Sequence, residues 1–173
     1  DQARARAAEL GLSDLCRFEV GEAGESLKNE RHYDGLIFGA VGNILGDHQT
    51  TLGALMAAIK KDGFILFDDA YVLDKPGGAQ LNFEQEYPTY DQWLAIFKGL
   101  KLELLECLPS SGVPSQDIER DMGWINARAG ELIKRYPAEK AMFEQYVENQ
   151  KNEYLDLEQD LVGATWLLQA TGL

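Results

Sequence analysis

The run Lys61-Asp-Gly-Phe-Ile-Leu-Phe-Asp-Asp-Ala-Tyr-Val-Leu-Asp-Lys-Pro-Gly-Gly78 decides how this chain folds. Four apolar residues, Phe64 to Phe67, follow a glycine without interruption, and two carboxylates stand where they end. An unbroken apolar run of this kind is the pattern of a central parallel strand, covered on both faces. Ligands of such sheets bind just beyond the carboxyl ends of the strands. Asp68 and Asp69 are therefore expected where an α/β protein does its chemistry.

Upstream of the run, Asp47 opens an amphipathic helix. Its Leu52, Leu55, Met56 and Ile59 follow the i, i+3, i+4, i+7 rule, and Gly63 is expected to close it. Further back, Tyr33 to Phe38 reads as a strand, and Cys16 to Val20 alternates as a short strand does. Gly21 to Gly24 is a turn, with a short helical piece at Glu25 to Lys28. Ala3 to Leu10 reads as a helix stopped by Gly11 in the left-handed cap position.

Downstream, Asp74 to Glu86 reads as a loop. Thr89-Tyr-Asp-Gln92 is a capping box and opens a helix carrying Trp93, Ile96, Phe97 and Leu100. Leu102 to Leu108 is another strand. Helix and strand alternate up to this point, which predicts a mostly parallel sheet with helices on its faces. After Pro109 the alternation breaks into a helix over 118–136 and a longer one from Pro137 to about Leu161. The stripe Phe143, Val147, Tyr154, Leu157 and Leu161 either packs on the sheet or covers the strand ends as a lid. Gly163 to Thr171 is a final strand.

The chain has 173 residues, 45% of them hydrophobic, which suits one folded domain. Its formal net charge is −13, without the basic footprint that a nucleic-acid partner needs. No stretch approaches the ~20 apolar residues that span a bilayer. Cys16 and Cys107 lie in apolar runs and are expected as buried thiols, consistent with a reducing, cytoplasmic setting. The chain begins Asp-Gln rather than Met, which suggests a fragment or a processed product.

Several segments, in order, resemble the class I S-adenosylmethionine-dependent methyltransferases. Arg17-Phe-Glu-Val-Gly-Glu-Ala23 resembles their third strand and acidic turn, and Tyr33-Asp-Gly-Leu-Ile-Phe38 their fourth strand. Ile59 to Asp68 resembles the Leu-Lys-Pro-Gly-Gly turn and fifth strand, with Lys-Asp-Gly in place of the commoner residues. Thr165-Trp-Leu-Leu168 resembles the terminal antiparallel strand. The resemblance implies a doubly wound, Rossmann-like α/β fold with a mostly parallel sheet. It also implies a cofactor, S-adenosylmethionine, and a small-molecule methyl acceptor. The family's first strand, glycine-rich loop and second strand have no counterpart here, since no G-x-G-x-x-G occurs. The expectation is one incomplete domain over 1–173, truncated at its amino end, with a helical lid region at about 112–161.

The resemblance places cofactor contacts at Gly21, Glu22 and Ala23, where a carboxylate and a backbone N–H would pair with adenine. It places further contacts at Gly39, Ala40 and Val41, where small residues let a ligand approach the backbone. Asp69 and Tyr71 are the catalytic candidates, and Asp68 and Trp124 the acceptor-binding ones. Each of these positions has a purely structural alternative: a polar turn, a tight strand exit, a loop cap or a core aromatic. Metal ligation is not expected, because His32 and His48 are isolated and no acid follows the fourth strand. Two other functions compete: a non-catalytic interaction module, and a nicotinamide-linked oxidoreductase using Tyr71-x-x-x-Lys75. The second needs both side chains on one helix face, and Pro76-Gly-Gly opposes a helix there. With its amino end missing, Tyr33–Phe38 is expected to present an open edge, filled by a preceding segment or by a second copy of the chain.

Overall fold

The computed structural model describes residues 1–39, 41–74, 81–82, 87–110, 112 and 114–171. The elements in chain order are α1 (Gln2–Glu9), α2 (Ala23–Leu27), β1 (Tyr33–Gly39), α3 (His48–Ala58) and β2 (Ile59–Val72). Then come α4 (Tyr90–Gly99), β3 (Leu102–Pro109), α5 (Ser115–Arg135), a single 3₁₀ turn at Pro137–Glu139, α6 (Lys140–Gln159) and β4 (Leu161–Ala170).

The strands form one sheet in the order β1-β2-β4-β3. β1 and β2 are parallel, and β4 is antiparallel to both β2 and β3. Three strands therefore run one way, and the last runs back between two of them. The sheet is mixed, with most of its strands in one direction, as the α/β reading expects.

Local signals set several boundaries. Gly11, at φ +67°, follows α1 in the left-handed conformation. Asp47 caps α3 by accepting from the Thr50 N–H at 2.7 Å. Thr89 and Gln92 make both bonds of the capping box at α4.

Other boundaries differ from the expectation. Gly63 does not close α3. The helix stops at Ala58, Ile59 already has extended backbone, and β2 begins there. Residues 60–63 bulge out of the ladder, since Tyr33 pairs with Ile59 while Gly35 pairs with Phe64. Gly63 is needed for a different reason: a Cβ there would stand 2.9 Å from the Lys60 carbonyl oxygen. Cys16 to Val20 forms no ladder with the described residues, and Val20 is 94% exposed. Alternation favours an extended backbone, but a strand needs a neighbour for its N–H and C=O groups. Cys16 is exposed and Cys107 partly buried, so the buried-thiol reading fails at Cys16.

The core lies on one face of the sheet. Leu52, Leu55 and Met56 of α3 and Trp93 and Phe97 of α4 pack with Ile65, Phe67, Trp166 and Leu168. Burying each of these side chains is worth about 1.5–3 kcal/mol. β2 is not covered equally on both faces. Ile65 and Phe67 are fully buried, whereas Phe64 and Leu66 are 41% and 39% exposed. Ile37, paired with Leu66 on β1, is 78% exposed. The cause is that α3 and α4 both pack on the Ile65–Phe67 side. β1 is the edge of the described sheet, with β2 as its sole ladder partner among the described residues. None of the described helices is long and apolar enough to cross a membrane.

Candidate functional site

Register brings the candidate residues of β1 and β2 together. Gly39, the last residue of β1, pairs with Asp68. The chain then leaves the sheet, and Gly42 takes φ +64°. β2 does not end with it. β4 continues to pair from Asp68 with Thr165 through to Val72 with Leu161. Asp68 and Asp69 are thus inside a strand rather than beyond it, in the rows where the parallel partner has stopped and the antiparallel one persists.

A cavity of about 420 Å³ opens in that gap. Val41 and Gly42 form the β1 side, Asp68 and Asp69 the β2 side, and Tyr87, Glu153 and Leu157 close it from the α4 approach and α6. The Asp68 Oδ2 accepts from the Thr165 hydroxyl at 2.7 Å, which fixes this carboxylate across the β2–β4 ladder. Asp69 Oδ1 accepts from the Ala70 N–H at 2.8 Å, and its Oδ2 lies 3.6 Å from His48 Nδ1. The His48 ring in turn packs against Trp93, centroids 4.8 Å apart. His48 is isolated in sequence; the α3 start and β2 bring it to Asp69.

Burial pushes the Asp69 carboxyl above its ordinary value, and the neighbouring Asp68 adds to this. The Ala70 N–H and His48 oppose the shift without cancelling it. Burial also pushes the Tyr87 phenol well up, with Glu153, Asp69 and Asp156 adding to it. The sign for stability follows from linkage. A carboxyl raised by folding favours the folded state when protonated, and that advantage is lost as pH rises through the folded value. Asp69→Asn, which keeps an acceptor for Ala70, is expected to raise the urea midpoint at pH 7. The gain should shrink as the pH falls toward about 4, the unfolded carboxyl value. A midpoint at pH 7 below that of the parent chain would show that attraction to His48 outweighs desolvation.

The other anticipated residues fall in different places. Glu22 caps α2, its two oxygens accepting from the N–H groups of Gly24 at 3.0 Å and Glu25 at 2.7 Å. These bonds hold its carboxyl below the ordinary value. Gly21, Glu22 and Ala23 do not line the cavity. Ala40 lies outside the described residues. Tyr71 turns away from the cavity and packs on Tyr90 and Trp166, at centroid distances of 5.4 and 6.4 Å. It sits on a strand, so the Tyr-x-x-x-Lys pattern lacks the helix it requires, and Lys75 is outside the described residues. Trp124 is 65% exposed on α5, under the Arg120 guanidinium, and is not in the cavity wall. Among the described residues, no three His, Cys, Asp or Glu side chains are grouped to hold a metal ion.

Sequence reasoning missed Tyr87, Glu153 and the buried Asp156. Asp156 is 1% exposed and accepts from the Asn82 N–H at 2.7 and 3.0 Å and from its side-chain amide at 2.7 Å. Together with the Leu73 N–H donating to the Asp160 carbonyl at 2.9 Å, these bonds tie the segment after β2 to α6. A signal was present: Asp156 on α6 and Asp160 at its C-cap stand four residues apart, one helical turn.

No protein-family profile matches the chain, and no curated protein is significantly similar to it. Solved structures do match. One is an S-adenosylmethionine-dependent methyltransferase from Geobacter sulfurreducens in complex with S-adenosyl-L-homocysteine. It is 19% identical with a TM-score of 0.66, and the match covers 96% of this chain and 69% of that one. YjhP from E. coli is 18% identical with a TM-score of 0.70, covering 98% of this chain and 71% of that one. The [4+2]-cyclase SpnF is 16% identical with a TM-score of 0.60, covering 96% and 60%. The chain therefore has the Rossmann-like α/β fold of the class I methyltransferases. The cyclase in this set shows that the fold by itself does not fix the reaction.

Proposed function

We propose that this chain contributes to a methyl-transfer site that uses S-adenosylmethionine and a small-molecule acceptor. The observation that carries the reading is the cavity between the β1 exit and the Asp68–Asp69 rows of β2, in a fold shared with methyltransferases. When bound, the cofactor would supply an electrophilic methyl carbon. The residues present fit the rest of the task. Gly39 and Gly42 allow close approach to backbone, and Asp69 is a partly buried carboxylate able to take a proton from the acceptor. Methyl transfer is a direct displacement, so alignment does much of the work.

The open edge of β1 and the exposed Ile37, Phe64 and Leu66 support completion of the sheet by a further strand, from a preceding segment or a second copy. The same edge favours a second reading, an interaction module without activity. Calorimetry with S-adenosyl-L-homocysteine on the protein in its full natural length separates the two. Stoichiometric binding is expected; no binding would leave the interaction module, and binding of a nicotinamide dinucleotide alone would replace both.

Glu22 remains the candidate for the adenine edge, because a carboxylate that caps a helix keeps further lone pairs. Glu22→Gln is expected to weaken cofactor binding by about 1–3 kcal/mol, the range for a charge-assisted hydrogen bond. An unchanged Kd with the fold intact would reduce Glu22 to the cap of α2.

A further inference from the structure

The chemistry of the cavity wall narrows the acceptor, on the premise that this cavity is the methyl-transfer site. We propose that the acceptor is a cationic amine, held by Asp68 and Glu153 and deprotonated by Asp69. The described wall carries three carboxylates, from β2 and from α6, and one phenol, that of Tyr87. None of its described residues is Lys or Arg. A carboxylate acceptor would meet like charge on two sides, a repulsion that grows as the space around it loses water. An alcohol would bring no charge to Asp68 and Glu153, which meet no Lys or Arg among the described wall residues. An ammonium group has three N–H donors and no acceptor, and it suits a wall made of acceptors. The wall also answers a second need. A sulfonium and an ammonium are both positive, and bringing them together requires negative charge from the protein.

The step balances. One ammonium proton passes to an Asp69 oxygen, and the freed nitrogen lone pair attacks the methyl carbon of S-adenosylmethionine. The C–N bond forms as the C–S bond breaks, and the bonding pair stays on sulfur. The products are an N-methylammonium and a neutral thioether, with one proton left on the protein. Burial strengthens the hold of Asp69 on a proton, which suits it to the role of base. Val41 and Leu157 provide apolar contact for the rest of the acceptor.

The test uses one skeleton with three head groups: 2-phenylethylamine, 2-phenylethanol and phenylacetate. Each is titrated by calorimetry into the full-length protein, with and without S-adenosyl-L-homocysteine. The amine is expected to bind at least about tenfold more tightly than the alcohol, with the acid weakest. Glu153→Gln and Asp68→Asn should each cut amine affinity at least about threefold and leave the alcohol unchanged, as removal of a single charge partner predicts. Circular dichroism confirms that the variants are folded. Equal or tighter binding of the alcohol or the acid overturns the proposal, as do an unmeasurable amine and an amine indifferent to both substitutions. Binding of S-adenosyl-L-homocysteine without an amine preference overturns this inference alone. An amine preference without it overturns the cofactor reading and keeps the cation pocket.

Discussion

Trp93→Ala is expected to destabilise the chain by about 3–5 kcal/mol, the range for removing a buried large aromatic. Trp93 is fully buried at the centre of the core. Its ring lies 5.1 Å from Trp166, 5.4 Å from Phe67, 5.6 Å from Phe97 and 4.8 Å from His48, centroid to centroid. Its indole N–H donates to the Ala70 carbonyl at 2.9 Å, so it also pins α4 to β2 beside the site. Alanine would leave a void between α3, α4 and the sheet and would strip the Ala70 carbonyl of that donor. Domains of this size are stable by about 5–15 kcal/mol, so the loss takes a large share. Urea denaturation measures it directly. Trp93→Phe should recover most of the packing and lose mainly the donor to the buried Ala70 carbonyl, at a cost of about 1–3 kcal/mol. A loss below about 1 kcal/mol for Trp93→Ala, well under the range of cavity series, would mean that the core collapses into the gap.

Asp69→Asn is expected to lower methyl transfer by about 10²–10⁴-fold, the range for a lost general base. Cofactor affinity should change little. The reason is position: Asp69 lies on the cavity side of β2 beside Glu153 and Tyr87, away from the turn that holds Glu22. The same substitution should stabilise the fold at neutral pH, because a partly buried carboxylate is replaced by a neutral amide. A chain that gains stability while losing turnover would identify a strained functional group. Retained turnover with lost cofactor affinity would place Asp69 on the cofactor side of the cleft instead. Single-turnover kinetics with labelled S-adenosylmethionine, alongside calorimetry, separates the two results.

Features that depend on neighbours within a few residues are legible in the sequence alone. Gly11, Asp47 and the Thr89–Gln92 box end and begin helices because capping bonds reach only three or four residues. The Phe64–Phe67 run, with helix and strand alternating around it, points to the α/β class, although its Phe64–Leu66 face is not covered as the pattern predicts. Features that depend on distant partners are not legible in this way. Cys16–Val20 has the pattern of a strand and no ladder among the described residues, because pairing requires a second chain segment alongside. Gly63 looks like a helix cap and serves a bulge, because only the approach of the Lys60 carbonyl shows what its missing Cβ permits. β2 outruns its apolar stretch because β4, nearly a hundred residues later, continues to pair with it. The cavity follows the same rule. Asp68 and Asp69 are visible from the apolar run they end, but Tyr87 and Glu153 reach them only through the docking of α6 and the α4 approach. Short-range chemistry is written in adjacent residues; burial, register and the electrostatics they shift arise only when the sheet closes.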